Sequence, residues 1–163
     1  MTDRCGRGMC EALGMADPAP NPGPEPVLLD LDDLDAVGVL SEAIVSLRAH
    51  VLISDHEAAI TIDAPTGWHR LVINAKNGGS SVLVVRFNDL SVSRTKNVAA
   101  ALHRRGWQLD EDHEGATLRQ APGTTTIDVA FEVLAALGVG GAPRGTREMR
   151  ATDATGAIVD LHP

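Results

Sequence analysis

Apolar and polar positions along the chain change period several times, and each change marks an element. Leu34, Val37, Leu40, Ile44, Leu47 and Val51 recur at spacings of three and four, which predicts an amphipathic helix. Asp30, Asp32, Asp33 and Asp35 precede it and place negative charge where a helix N-terminus favours it. The period then drops to two. Ala58 to Asp63 alternates through Ile60 and Ile62, and Trp68 to Ala75 alternates through Leu71, Ile73 and Ala75. Val82 to Phe87 is the most hydrophobic strand and belongs at the centre of a sheet. Asn77-Gly78 between the last two is a strong hairpin signal, since both residues tolerate positive φ.

Helical spacing returns after Asn88-Asp89. Ser91 or Ser93 supplies an N-cap, and Val98 and Leu102 fall on one face with Ala99 and Ala101 beside them. Gly106 follows a basic last turn, as a left-handed residue after a helix should. Trp107 and Leu109 alternate with Gln108, the acidic run Asp110 to Glu114 turns, and Thr117-Leu118-Arg119 returns as a second strand. Pro122-Gly123 breaks the chain. Thr125 with Asp128 approximates a capping box for a last helix, along which Ile127, Phe131, Leu134 and Gly138 keep helical spacing. That helix is apolar over more than half its surface, which implies deep burial or a surface shared with a partner.

The organisation that follows is a Pro-rich leader, residues 1–27, an α+β domain, residues 28–139, and a Gly/Arg-containing tail, residues 140–163. In the tail, Ala157 to Leu161 reads as a short edge strand or as a frayed end. The domain is a two-layer α+β body: helix, three antiparallel strands, helix, two strands, helix.

Composition narrows the function classes. The chain has 163 residues, 44% of them hydrophobic, so one core is expected. Aromatics are only 2%, which leaves few platforms for stacking single-stranded nucleic acid. The formal charge of −8 repels phosphate, so nucleic acid is not expected as a partner. The rival reading is RNA on a local basic patch of Arg94, Lys96, Arg104 and Arg105. No membrane span and no apolar signal core are read, and a cytoplasmic protein is expected. Cys5 and Cys10 fall in the leader and cannot alone close a four-ligand zinc site.

Candidate chemistry is sparse. Six histidines are scattered, none in a His-Glu-x-x-His motif. His50, His56 and His69 could converge on zinc in a small hydrolase, but separate boundary histidines are the plainer reading. No Gly-x-Ser-x-Gly elbow is present, and the glycines after Gly138 end a helix where a phosphate loop would open one. The expectation is therefore no catalytic set, no metal and no cofactor. Trp68 and Trp107 stand at strand starts, either as core residues or as exposed anchors for a peptide or a second subunit.

The run Val98 to Trp107, the acidic turn, Leu118 and the apolar helix through Phe131 and Leu137-Gly138 resemble the TY-Chap and YbjN relatives of the type III secretion chaperone-like fold. The resemblance spans roughly Asp30 to Gly138. It implies a non-enzymatic module that binds protein in a chaperone-like or adaptor role, often as a homodimer. It further implies that Val98, Leu102 and Trp107 carry the subunit contact.

Overall fold

The alternating stretches in the middle of the chain become strands β2 (Ala58–Asp63), β3 (His69–Ala75) and β4 (Ser81–Phe87). They pair antiparallel in register, Ile60 opposite Ile73 and Ile73 opposite Leu83. The structure, a computed structural model, describes residues 24–63, 69–87, 90–112, 114–139 and 145–162. The remaining elements are β1 (Val27–Asp30), α1 (Ala36–Ser54), α2 (Val92–Arg104), β5 (Gln108–Leu109), β6 (Gly115–Gln120), α3 (Thr126–Val139) and β7 (Thr146–Asp153). All seven strands join one antiparallel sheet, ordered β1-β7-β2-β3-β4-β6-β5. The α+β fold class and the helix–strand order from the first helix to the third are as expected.

Strand alternation sorts the sheet into two faces. Ile60, Ile73, Leu83 and Ala151 form one inward row, and Ile62, Leu71, Val85, Ala116 and Met149 the next. These residues share a single core with Leu40, Ile44 and Leu47 of α1, Val98 and Leu102 of α2, and Val129, Val133 and Leu137 of α3. On the opposite face, Thr61, Val72, Val84 and Thr117 are half-buried and are rimmed by charged pairs such as Arg70–Asp63 and Arg150–Glu148. The helices thus form one layer and the sheet the other.

Helices α1 and α3 pack side by side and run antiparallel. Ser41 and Thr126 hydroxyls share a hydrogen bond of 2.8 Å, and Arg48 donates to the Thr124 carbonyl at 2.8 Å. At the other end, Leu31, Leu34 and Val37 meet Leu134, Leu137 and Gly138 around a cavity.

Four features depart from the sequence reading. Helix α1 begins at Ala36, which leaves Leu34 outside it and fully exposed. The aspartates ahead of it form turns: Asp30 Oδ1 accepts the Asp32 N–H and Asp33 Oδ1 accepts the Asp35 N–H, each at 3.0 Å. No acid lies in the first turn, so their role is to break the chain between β1 and α1. Strand β1 occupies Val27–Asp30, where no strand was expected. The tail, residues 140–163, supplies β7, an eight-residue strand between β1 and β2. Its inward positions are Arg147, Met149 and Ala151, all buried. A cation and a small residue at inward positions blur the period of two, so the pattern passed for a tail. Residues 157–161, read as a short edge strand or a frayed end, make a single bridge, Ile158 to Thr152, and bury Val159 and Leu161.

Among the described residues one helix, α1, is long and apolar enough to cross a membrane, with mean hydropathy 1.6. This differs from the reading that no such run exists. Here its Leu40, Ile44, Leu47 and Val51 side is laid on the sheet.

Candidate interaction face

Helix α2 opens on Ser91, whose hydroxyl accepts the Arg94 N–H, and closes on Gly106 at φ +88°. The Gly106 N–H donates to the His103 carbonyl at 3.0 Å and the Trp107 N–H reaches back to the Leu102 carbonyl at 3.1 Å. This left-handed C-cap turns Trp107 inward against Leu102. The indole Nε1–H donates to Glu132 Oε1 at 2.8 Å, and Arg105 grips the same carboxylate in a fork at 3.0 and 2.8 Å. The bond to Glu132 raises the Arg105 pKa above its usual value. Trp107 is 1% exposed, Leu102 0% and Val98 4%. The three residues that the family resemblance marks for subunit contact therefore pack inside their own chain. Trp68 lies outside the described residues.

Helix α3 was the apolar surplus of the sequence. Its N-terminus follows a Pro122-Gly123 turn and is capped by Thr125, which accepts the Asp128 N–H at 3.1 Å and donates its hydroxyl to Asp128 Oδ2 at 2.7 Å. Val129, Ala130, Val133, Ala136 and Leu137 are buried. Ile127 and Phe131 point the other way, 52% and 58% exposed. Leu134 is half-buried behind them and Gly138 is exposed.

Helix α1 adds to the same surface. Ser41, Val45, Arg48 and Leu52 fall on one line at steps of four, three and four. Ser41 and Arg48 both touch the start of α3, so Val45 and Leu52 flank the seam on its outer side. They are 53% and 86% exposed, and Ile53 beside them is equally open. Charged or titratable side chains on α1 are only Glu42, Arg48 and His50. Arg48 is held in the seam, its other guanidinium nitrogen donating to Ser81 Oγ at 3.2 Å, and its pKa is lowered by burial. The outer side of α1 and α3 thus exposes Val45, Leu52, Ile127 and Phe131, with Glu42 and Asp128 beside them and Leu34 in the Asp-rich turn before α1. The sequence signal for Val45 and Leu52 was present, since α1 is apolar on more faces than one. The six-residue stripe from Leu34 to Val51 is the stronger periodic signal and masks it.

The histidines do not gather in the described part of the chain. His50 Nε2 sits 3.4 Å from Asp153 Oδ2, across from the end of β7. His56 is exposed on the loop after α1. The side chain of His69, and His113 altogether, lie outside the described residues, as do Cys5 and Cys10. No group of three or more His, Cys, Asp or Glu among the described residues could hold a metal. The Asp153 carboxyl is held well below the carboxylate range, at about 2. The main cause is the Thr155 hydroxyl at 2.6 Å; the Thr155 and Ala157 N–H groups and His50 add to it. On α2, Lys96 and Arg104 are exposed while Arg105 is engaged by Glu132. No family model, curated protein or solved structure matches the chain, so its likeness to other proteins goes no further than the pattern of its own residues.

Proposed function

We propose that this chain is a non-enzymatic protein-binding module of the chaperone-like or adaptor kind, and that its partner docks on the outer side of α1 and α3. The observation that carries the reading is the set of exposed large apolar side chains, Val45, Leu52, Ile127 and Phe131, on two packed helices. Isolated apolar residues are ordinary on a protein surface, but several large ones on two neighbouring helices mark an interaction site. Large apolar side chains on a helix face serve as anchors in grooves and helix pairs. The resemblance of the stretch from Asp30 to Gly138 to TY-Chap and YbjN proteins implies a role of this kind, with a contact on α2 where the one proposed here lies on α1 and α3.

The test is a paired charge insertion, Ile127→Asp with Phe131→Asp. Both side chains are more than half exposed, so the fold should persist, with near-ultraviolet circular dichroism and Tm close to the parent. Proteins retained by the parent chain should be lost from the variant. Retention of the same proteins by a folded variant would overturn the assignment of this face.

A further inference from the structure

Arg48 is a cation without a counter-charge among the described residues. It reaches from α1 toward the start of β4 and the start of α3. One terminal nitrogen donates to the Thr124 carbonyl at 2.8 Å and the other to the Ser81 hydroxyl at 3.2 Å, and both acceptors are neutral. Its Nε is buried without a hydrogen-bond partner, and the guanidinium makes no ion pair with any described residue. A charge drawn out of water calls for compensation, and neutral acceptors supply only part of it. Arg105 shows what the same edge of a guanidinium does beside a carboxylate: its Nε and Nη2 hold Glu132 in a fork at 3.0 and 2.8 Å. On Arg48 the Nε and Nη2 edge has only the longer contact to Ser81.

That edge adjoins a cavity. Ser81 is the register partner of Ala75, and Ala75 lines a hollow of about 280 Å³ with Arg48, Val51, Leu52, Asp55 and the turn from Lys76 to Gly79. Every residue on its wall belongs to the described part of the chain. We infer that Arg48 is the receptor for a small monocarboxylate, bound side-on by Nε and Nη2 with its aliphatic end against Val51, Leu52 and Ala75. The other charges at the site limit the occupant to one negative charge. Lys76 is already paired with Glu57, so Arg48 is the cation left to compensate. Asp55, whose carboxylate accepts the Asn77 amide at 3.2 Å, opposes a dianion such as phosphate. The volume is at the lower end for ligand sites, which run from about 300 to about 1,000 Å³, and so favours a small molecule. Nε is closed to water, so the occupant enters by moving a wall residue. Leu52, one turn beyond Arg48 and 86% exposed, has the room to change rotamer. The inference goes beyond the proposed protein-binding role and does not depend on it.

The experiment titrates the full chain with sodium butyrate at constant ionic strength, followed by backbone amide NMR and by Tm. Butyrate should saturate with a Kd in the roughly millimolar range, as suits a ligand of few atoms. It should shift the amide signals of Lys76 to Ser81 and raise Tm, since it binds the folded state. Butyramide, the uncharged counterpart, and inorganic phosphate should each bind at least tenfold more weakly. Arg48→Lys keeps the charge but loses the fork, and should weaken butyrate by at least tenfold. A second variant leaves Arg48 and its bonds in place. Leu52→Glu sets a carboxylate one turn along the exposed side of α1, where it should raise Tm without butyrate and abolish the response to it. A parent with no saturable response overturns the inference. So does equal binding of butyramide, or a butyrate response that survives in both variants. Phosphate binding as tightly as butyrate would make Arg48 a general anion contact and overturn the carboxylate assignment. A peptide C-terminus offers the same group, so tighter binding of acetyl-Ala-Ala than of butyrate would overturn the small-molecule assignment.

Discussion

Gly106 is a residue whose conformation was legible before any coordinates. A basic turn followed by glycine and a large apolar residue predicts a left-handed cap, and the φ of +88° with two backward hydrogen bonds agrees. Gly106→Ala should cost about 1 kcal/mol in a denaturant melt, because alanine resists that φ. A neutral result would mean that the cap relaxes without strain. Thr125 with Asp128 and the Pro122-Gly123 turn were legible for the same reason: their hydrogen bonds close within three residues. Asn77-Gly78 was half legible, since the turn exists but positive φ falls on Gly78 and Gly79. The fate of Trp107 was not legible, because the bond that settles it comes from Glu132, twenty-five residues away. Trp107→Ala should cost roughly 3–5 kcal/mol as a core truncation. Trp107→Phe should cost only about 1–2 kcal/mol, since Arg105 still satisfies Glu132. Equal losses in urea unfolding would show that the indole N–H, and not packing, is what matters. Asp153 adds a pH dependence of known sign. Its carboxyl holds its proton less tightly folded, at about 2, than unfolded, at about 3.8. Its contribution is present above about pH 4 and is lost as pH falls toward 2. Asp153→Asn should lower stability at neutral pH and flatten that acid limb.

Elements were legible where the period was clean and illegible where a cation interrupted it. Strands β2, β3 and β4 keep apolar residues at their described inward positions, apart from Ser81 at the start of β4. Strand β7 carries Arg147 inward, 2% exposed, with its pKa lowered by burial. Periodicity counts such a residue as polar, although its aliphatic stem packs like an apolar one. The consequence is large, because β7 is an interior strand paired on both sides. Truncation after Val139 should therefore abolish cooperative unfolding, leaving β1 without a partner and β2 as an edge. A truncated chain that keeps a sharp thermal transition and native circular dichroism would refute the interior placement. Helix α3 shows the opposite case. Its helical span was plain from spacing, but which side turns inward depends on the helix beside it. The stripe read from the sequence, Ile127, Phe131, Leu134 and Gly138, is the outer one.

At the scale of the molecule, two broad faces differ in kind. The open side of the sheet has its charges matched in pairs, Arg70 with Asp63, Arg86 with Asp110 and Arg150 with Glu148. Exposed pairs of this sort contribute little to stability. The outer side of α1 and α3 carries few charges, Glu42 and Asp128 being exposed there, while α2 presents Lys96 and Arg104. Which of the two mediates association decides how association responds to salt. Were two copies to meet through α1 and α3, like net charges would face one another across an apolar contact. Ions screen the repulsion beyond a Debye length, about 10 Å at 0.1 M, and leave the apolar contact untouched. Self-association should then tighten severalfold as sodium chloride rises from about 0.05 to about 0.5 M. Binding of a polyanion through Lys96 and Arg104 would do the reverse and weaken steeply, because each phosphate contact releases counterions. Sedimentation across that salt series distinguishes them by sign alone. Association that falls with salt would place the contact on charged groups and remove the exposed apolar side chains from their role.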